Sequence, residues 1–438
     1  MPHFNLARVL FVFSCVLALL VSPACAVHGT ADHHPDHQAE GPIPVRIEKT
    51  ADGYRMLRGG EPYFVRGAGG GGNLAKLAAA GANSVRTWHI DNAQRVLDEA
   101  HANGLTVHMG IWIGHPRHGF DYGDQAAIER QRQMVRDAVT EFKDHPALLA
   151  WGVGNEVELM SDPRLVFGEL NELAKIVKSI DPHHPTDVVI AGGEPEKIHA
   201  FIELCPDVDL LAVNSYAADI AGVPATLKRS GYDGPYLVTE WGPRGHWQSP
   251  KAPWGAPLEQ TSTEKAESFR MGYETAIASA PDRCLGSYVF LWGQKQEKTA
   301  TWYGMILPTG ETTQALDMMT ELWTGEQPDQ HAPTISPIVS SVTQSVVAPG
   351  AAIRARVEAR DADGDDLAYE WLIVAESQVV SAGGDPEKSL QEYPELTVQS
   401  NASARLNAPS EAGEYRLFVT VRDGTGRAAT ANTPFKVE

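Results

Sequence analysis

Leu148–Glu158 reads LLAWGVGNEVE. A continuous apolar run of this kind suits a strand buried on both faces of a parallel sheet. It stops abruptly on glycine, asparagine and glutamate. A carboxylate at the end of a buried strand is costly unless the site has a use for it. A second run, YLVTEWG at Tyr236–Gly242, ends in the same way on Glu240.

Outward from these two, one pattern recurs between Val45 and Gly325: a short apolar run, a loop, a helical stretch. The runs are YFVRGA, NSVRTW, LTVHMGIW, LLAWGVGN, DVVIAG, DLLAVNSY, PYLVTEWG and LGSYVFLW. Apolar positions at helical spacing mark Asn92–Asn103, Gln125–Asp144 and Arg164–Ile180 as helices, the first stopped by Gly104. Eight strands alternating with helices over roughly 250 residues or a little more fit an α/β fold of the (β/α)8 TIM barrel type. The rival is an open doubly wound sheet. Its lure is Gly67–Gly72, GAGGGG, which contains G-x-G-x-x-G after a strand, with Asp91 further on. A run this rich in glycine meets that pattern by composition alone. The plainer reading is backbone in close approach to a ligand or a neighbouring strand, so no nucleotide cofactor is expected.

Past Gly325 the text changes. Residues 326–336, EQPDQHAPTIS, form a polar linker, and 337–438 consist of short alternating segments such as AIRARVEAR, LAYEWLIV and EYRLFVTVRD. About a hundred residues of this kind make a small all-β sandwich. The acidic turn in DADGDDLAYEW, Asp361–Trp371, together with GEYRLFVTVRDGTG, resembles the polycystic-kidney-disease-type and related immunoglobulin-like repeats of secreted bacterial enzymes. Acidic turns of this sort are common without an ion, and no metal is assigned. The sandwich is expected either to bind polysaccharide or to space the barrel from a surface, with spacing preferred.

The chain has 438 residues and a formal net charge of -20, which repels phosphate backbones and argues against nucleic acid as a partner. Residues 1–26 read as an export signal: Arg8, the apolar Val9–Val21, then Ala24-Cys25-Ala26. This implies a periplasmic or extracellular protein, held at a membrane only if Cys25 is acylated. Residues 27–44 form a histidine-rich lead-in, expected to be disordered. Cys205 and Cys284 are read as two buried free thiols, with a bridge as the alternative.

In a barrel of this type the strands' C-terminal ends form the active face. Glu156 ends the fourth run and Glu240 the seventh, so their carboxylates face each other across the mouth. Retaining glycoside hydrolysis needs such a pair, one carboxyl protonating the leaving oxygen and a carboxylate about 5–5.5 Å away attacking the sugar carbon. On these residues the barrel resembles glycoside hydrolase clan A, with Asn155-Glu156 ending strand four and Glu240 ending strand seven. The resemblance implies Glu156 as general acid/base, Glu240 as nucleophile, and Asn155 as ligand of the sugar 2-hydroxyl. It also implies Arg86 and Tyr216 as groups oriented on the nucleophile, and Trp292 as a platform under the sugar.

Trp88, Trp112, Trp241, Trp247, Trp254 and Trp302 fall at strand ends or in top-face loops, where indoles stack on sugar rings. His89 and His115 follow strands and are candidate sugar ligands. His108, inside LTVHM, reads as a core residue, as do Trp151 and Trp323. The long loop after Glu240, GPRGHWQSPKAPWGAP, is read as a cleft wall. The expected function is a secreted retaining glycosidase acting on an oligo- or polysaccharide with β-linkages, glucan preferred, without a cofactor. The alternatives are a transglycosylase on the same barrel and a non-catalytic carbohydrate-binding protein.

Overall fold

The computed structural model describes residues 41–379 and 387–438. The export signal, and all of the histidine-rich lead-in before Gly41, lie outside the described residues.

Eight parallel strands close into a barrel: β1 (Val65–Gly70), β2 (Ser84–Arg86), β3 (Thr106–Ile111), β4 (Leu148–Asn155), β5 (Thr186–Ala191), β6 (Leu210–Asn214), β7 (Tyr236–Glu240) and β8 (Cys284–Trp292). Each coincides with one of the apolar runs. Helices follow them in turn: α1 (Leu74–Ala79), α2 (Ala93–Ala102), α3 (Gln125–Phe142), α4 (Pro163–Ile180), α5 (Pro195–Leu204), α6 (Val223–Arg229), α7 (Ser262–Gly272) and α8 (Gln314–Thr324). Their ends obey local chemistry. Asp124 accepts from the backbone N–H groups of Ala126 and Ala127 to cap α3, and Thr261 and Glu264 form a capping box on α7. Gly104, just past α2, takes a left-handed φ of 68°, and Gly325 closes α8 at 80°.

A three-stranded antiparallel sheet (Val45–Thr50, Gly53–Arg58, Glu61–Tyr63) precedes the barrel. Its Val45 and Met56 pack with Val65, Leu149, Leu210, Leu237 and Leu285, all at or near the N-terminal ends of barrel strands. The lower mouth is therefore sealed with apolar side chains, and the polar strand ends gather at the upper one. Inside the barrel lies a buried polar layer. Ser84 Oγ is 2.8 Å from the Tyr288 hydroxyl, and His108 Nε2 is 2.5 Å from Asp187 Oδ2. His108 is thus the paired core residue its sequence context suggested.

The glycine run is spent on packing within β1. A Cβ on Gly67 would lie 2.3 Å from the Tyr288 ring, and one on Gly69 would lie 3.1 Å from the Trp88 indole. Gly70 has φ 127°, and a Cβ there would lie 2.2 Å from the Trp292 carbonyl oxygen. This is the close-approach role at three positions of the run.

A hairpin, β9 (Lys295–Glu297) and β10 (Thr299–Tyr303), projects between β8 and α8. Beyond α8 two four-stranded sheets pack face to face. One contains Val339–Ser340, Ala352–Arg356, Ser403–Asn407 and Thr397–Gln399, and the other Val346–Val347, Ala428–Val437, Gly413–Arg422 and Ala368–Ala375. Ile353 and Leu406 of the first meet Trp371, Ile373, Leu417 and Phe435 of the second in one core. The stretch read as a linker is bound down. The Ala332 N–H donates to Asp317 at 2.6 Å, and the Ile335 N–H to Thr263 Oγ1 at 2.8 Å. Cys205 and Cys284 are both free and buried.

Gly67→Ala should overpack the barrel interior against Tyr288 and destabilise the fold by about 1–3 kcal/mol. Urea denaturation would show this as a lowered midpoint. An unchanged midpoint would mean the glycine is not fixed by packing.

Candidate active site

The site grows from how β4 ends. Gly154 has φ 83°, and a Cβ there would lie 2.6 Å from Val157. The chain then turns so sharply that Glu156 itself takes a left-handed φ of 51°, a strained conformation for a residue with a side chain. Its backbone N–H is anchored on the Val189 carbonyl of β5 at 2.9 Å. The turn aims Glu156 into a cleft of about 1520 Å³ that also exposes Asn155, Asn214, Tyr216 and Glu240.

Glu240 is held by three side chains. Arg86 Nη1 donates to its Oε1 at 2.9 Å and Trp88 Nε1 to the same oxygen at 2.7 Å, while the Tyr216 hydroxyl donates to Oε2 at 2.8 Å. Arg86 is 1% exposed and also donates from Nη1 to the Thr239 carbonyl at 2.9 Å and from Nη2 to Asn155 Oδ1 at 2.7 Å. Burial, then the Glu240 charge, push the Tyr216 hydroxyl well above its ordinary pKa, so it stays a donor.

Asn155 Oδ1 also accepts from Asn214 Nδ2 at 3.1 Å. With its oxygen committed to two donors, its amide nitrogen is what it can offer the cleft. Asn214 Nδ2 donates to Glu156 Oε1 at 2.8 Å, and Asn214 Oδ1 accepts from Thr239 Oγ1 at 2.8 Å. One guanidinium and two amides thus tie the two glutamates into a single frame. Burial pushes the Glu156 carboxyl up to about 8, with the Glu240 charge as the next cause and the Asn214 hydrogen bond opposing both.

Other candidates divide. Trp88, Trp112, Trp247 and His89 line the cleft; Trp112 is 40% and Trp247 47% exposed. His89 Nδ1 lies 3.4 Å from Asp91. His115 is buried beneath the cleft, its Nε2–H donating to the Asn155 carbonyl at 2.7 Å while its ring stacks on Trp112. Burial lowers its pKa, so it acts as a neutral strut.

Trp241 and Trp292 correct the expectation of sugar platforms. Side chains alternate along a strand, so with Glu240 facing the mouth Trp241 points outward. It is fully buried against Phe269, 5.7 Å away between ring centroids. Trp292 is 1% exposed and donates to the Gly72 carbonyl at 2.6 Å, and the aromatic that β8 presents to the cleft is Phe290. Trp302 is buried too, and Trp254 is off the cleft wall. Of the long loop after Glu240, Trp247 and Gln248 form the wall, while Ala252 and Ala256 are packed. Asn214 and Thr239 escaped sequence reading, although Asn214 sits two residues before Tyr216 at a strand end, where it had a signal.

Glycosyl hydrolases family 2, TIM barrel domain, is the family whose model matches residues 73–242. That segment starts before β2 and ends just after Glu240. This stretch of the barrel is similar to that glycoside hydrolase domain. A putative beta-glucuronidase of Formosa agariphila is 27% identical over 183 residues, covering 40% of this chain and 15% of that protein. A probable mannan endo-1,4-beta-mannosidase C of Aspergillus terreus is 24% identical over 166 residues, covering 32% and 40%. The chain therefore spans less than half the length of these relatives. In fold it is similar to the Faecalibacterium prausnitzii beta-glucuronidase, with TM-score 0.51, 18% identity, 64% of this chain and 52% of that one.

The titration of Glu156 tests the frame. Since the Glu240 charge raises its pKa and Asn214 lowers it, Glu240→Gln should move the Glu156 titration to lower pH and Asn214→Ala to higher pH. Carboxyl carbon NMR across the pH range reads both, and shifts in the reverse directions would overturn the assignment.

Proposed function

We propose that the protein is a retaining glycoside hydrolase that cleaves a neutral β-linked glycan through a glycosyl-enzyme intermediate. One observation carries this reading: a carboxyl bonded by Asn214 and a carboxylate held by three donors end strands β4 and β7 at one barrel mouth. Glu156 protonates the leaving oxygen. Glu240, aimed by Arg86, Trp88 and Tyr216, attacks the anomeric carbon. Asn155 offers its amide to the 2-hydroxyl, a bond that tightens in the transition state.

The size and lining of the cleft support a chain of sugars. Its volume of about 1520 Å³ exceeds the roughly 300–1,000 Å³ of a small-molecule pocket. Trp112 and Trp247 stand exposed in it as stacking surfaces. Its charge supports a neutral sugar. Asp91, Glu194, Asp219 and Glu297 join the two central glutamates on the wall against Arg117, Lys197, Arg229 and Lys295. Lys295 is tied to Glu297 at 2.6 Å, and Lys197 lies 3.1 Å from Glu194. The relatives named beta-glucuronidase point to a second reading, an anionic uronide, for which the evenly matched wall charges supply no surplus of cations. Export to the periplasm or beyond and an immunoglobulin-like fold for the C-terminal sheets belong to the same proposal. The first rests on the signal-like residues 1–26, the second on the paired four-stranded sheets.

Glu240→Ala should abolish turnover of aryl β-glycosides, with azide restoring part of it and giving an inverted product. Glu156→Gln should lose about 10²–10⁴-fold on poor leaving groups and far less on activated ones. Undiminished hydrolysis by Glu240→Ala would remove the mechanism. Digestion of a glycan panel with product sizing should show neutral β-glucan cleaved to oligosaccharides, and cleavage confined to uronides would establish the second reading instead.

A further inference from the structure

The C-terminal sheets meet the barrel through a buried polar chain that ends at the cleft wall. Arg416 is 1% exposed and grips Glu376 with two bonds, Nε to Oε2 at 3.0 Å and Nη2 to Oε1 at 2.7 Å. Its Nη2 also reaches the Pro257 carbonyl at 2.9 Å, and its Nη1 donates to Asn432 Oδ1 at 2.8 Å. Asn432 Nδ2 then crosses to the barrel, donating to Glu259 Oε2 at 2.7 Å. Glu259 gathers the hairpin strand β10: Thr299 Oγ1 donates to it at 2.7 Å and Thr301 Oγ1 at 2.8 Å. Lys265 Nζ, 2.5 Å from Glu259 Oε1, donates at 2.5 Å to the Thr301 carbonyl as well. Where the hairpin turns, the Lys298 N–H donates to Glu387 of the sandwich at 3.0 Å.

Two cations, Arg416 and Lys265, thus face two carboxylates, Glu376 and Glu259, with little water access. Burial works against the charge on Glu259, but Lys265 and Arg416 outweigh it and hold its pKa below the usual carboxylate range. A chain of buried charges and amides is directional and fails if one member is lost. Simple docking of a spacer would need only apolar contact.

The same hairpin also reaches the cleft. Lys295, Glu297 and Tyr303 line the cleft. The Tyr303 ring lies 5.2 Å from that of Phe290 and 5.9 Å from that of Tyr216, the residue that donates to Glu240.

We propose that the C-terminal sandwich buttresses the active-site wall from behind, with Arg416, Asn432 and Glu259 as positioning residues that hold the Lys295–Tyr303 hairpin against the glycan. This rests on the hydrolase reading for its catalytic consequence, but not for its structural one.

The test compares the full-length protein with Asn432→Ala, with the near-isosteric Thr299→Val, and with Val419→Ala, which weakens the sandwich core away from the chain. Amide hydrogen exchange over 295–303 should speed up about tenfold or more in the first two and stay at the wild-type rate in the third. Against a neutral β-glucan oligosaccharide, the first two should raise KM about fivefold, with kcat on an activated aryl β-glycoside within about twofold of wild type. Hairpin exchange unchanged in both variants overturns the proposal, as does a KM rise of the same size in Val419→Ala. Should the wild type cleave no β-glycan, the hydrolase reading fails while the exchange comparison still decides the positioning role.

Discussion

Everything at the barrel mouth depends on the buried guanidinium of Arg86. It has almost no contact with solvent, so its charge must be met by protein. It is met by the Glu240 carboxylate, the Thr239 carbonyl and the Asn155 amide oxygen. A buried pair of this kind adds little to stability, since desolvation consumes most of the attraction. What it supplies is geometry. The planar fork fixes strand ends β4 and β7 relative to β2, and removing either acceptor leaves a charge stranded. Through Asn155 and Asn214 the same fork sets where Glu156 sits.

Most of the fold was legible because barrel strands are buried on both faces and read as unbroken apolar runs. All eight runs became strands, and the two glutamates stood out because a carboxylate ending such a run is conspicuous. Side-chain direction near the strand ends was less legible. Trp241 follows β7 and Trp292 ends β8, positions as near the mouth as that of Trp88 after β2, yet the alternation that turns Glu240 inward turns Trp241 outward. An indole also satisfies either environment, being apolar with a single donor to place. Trp88 was read as a stacking surface, but its N–H is committed to Glu240. Asn214 was overlooked because asparagine is common at strand ends, and its importance lies in contacts with β4 and β7 that only closure of the barrel creates.

The junction between barrel and sandwich lay beyond the sequence for a related reason. Glu376, Arg416 and Asn432 read as ordinary polar residues of alternating strands, and Glu259 as part of a loop. They become one chain only when the two parts dock. Composition alone suggested a polar linker, whereas the backbone N–H groups of Ala332 and Ile335 within it donate to Asp317 and Thr263. Prolines in that stretch stiffen the crossing rather than loosen it.

The order of the causes acting on Glu156 bears on its second role. In the proposed double displacement, forming the glycosyl-enzyme intermediate consumes the Glu240 charge, so the repulsion that favours protonated Glu156 disappears. Burial, the larger cause, remains. Glu156 therefore gives up its proton more readily in the intermediate without returning to the range of a surface carboxylate. A group left between those limits is better suited to taking a proton from water near neutral pH than a fully relaxed carboxylate would be. Asn214, bonded to the same carboxyl, stabilises its charged form and opposes both causes. The acid step thus draws on both causes, and the base step on burial moderated by a single amide.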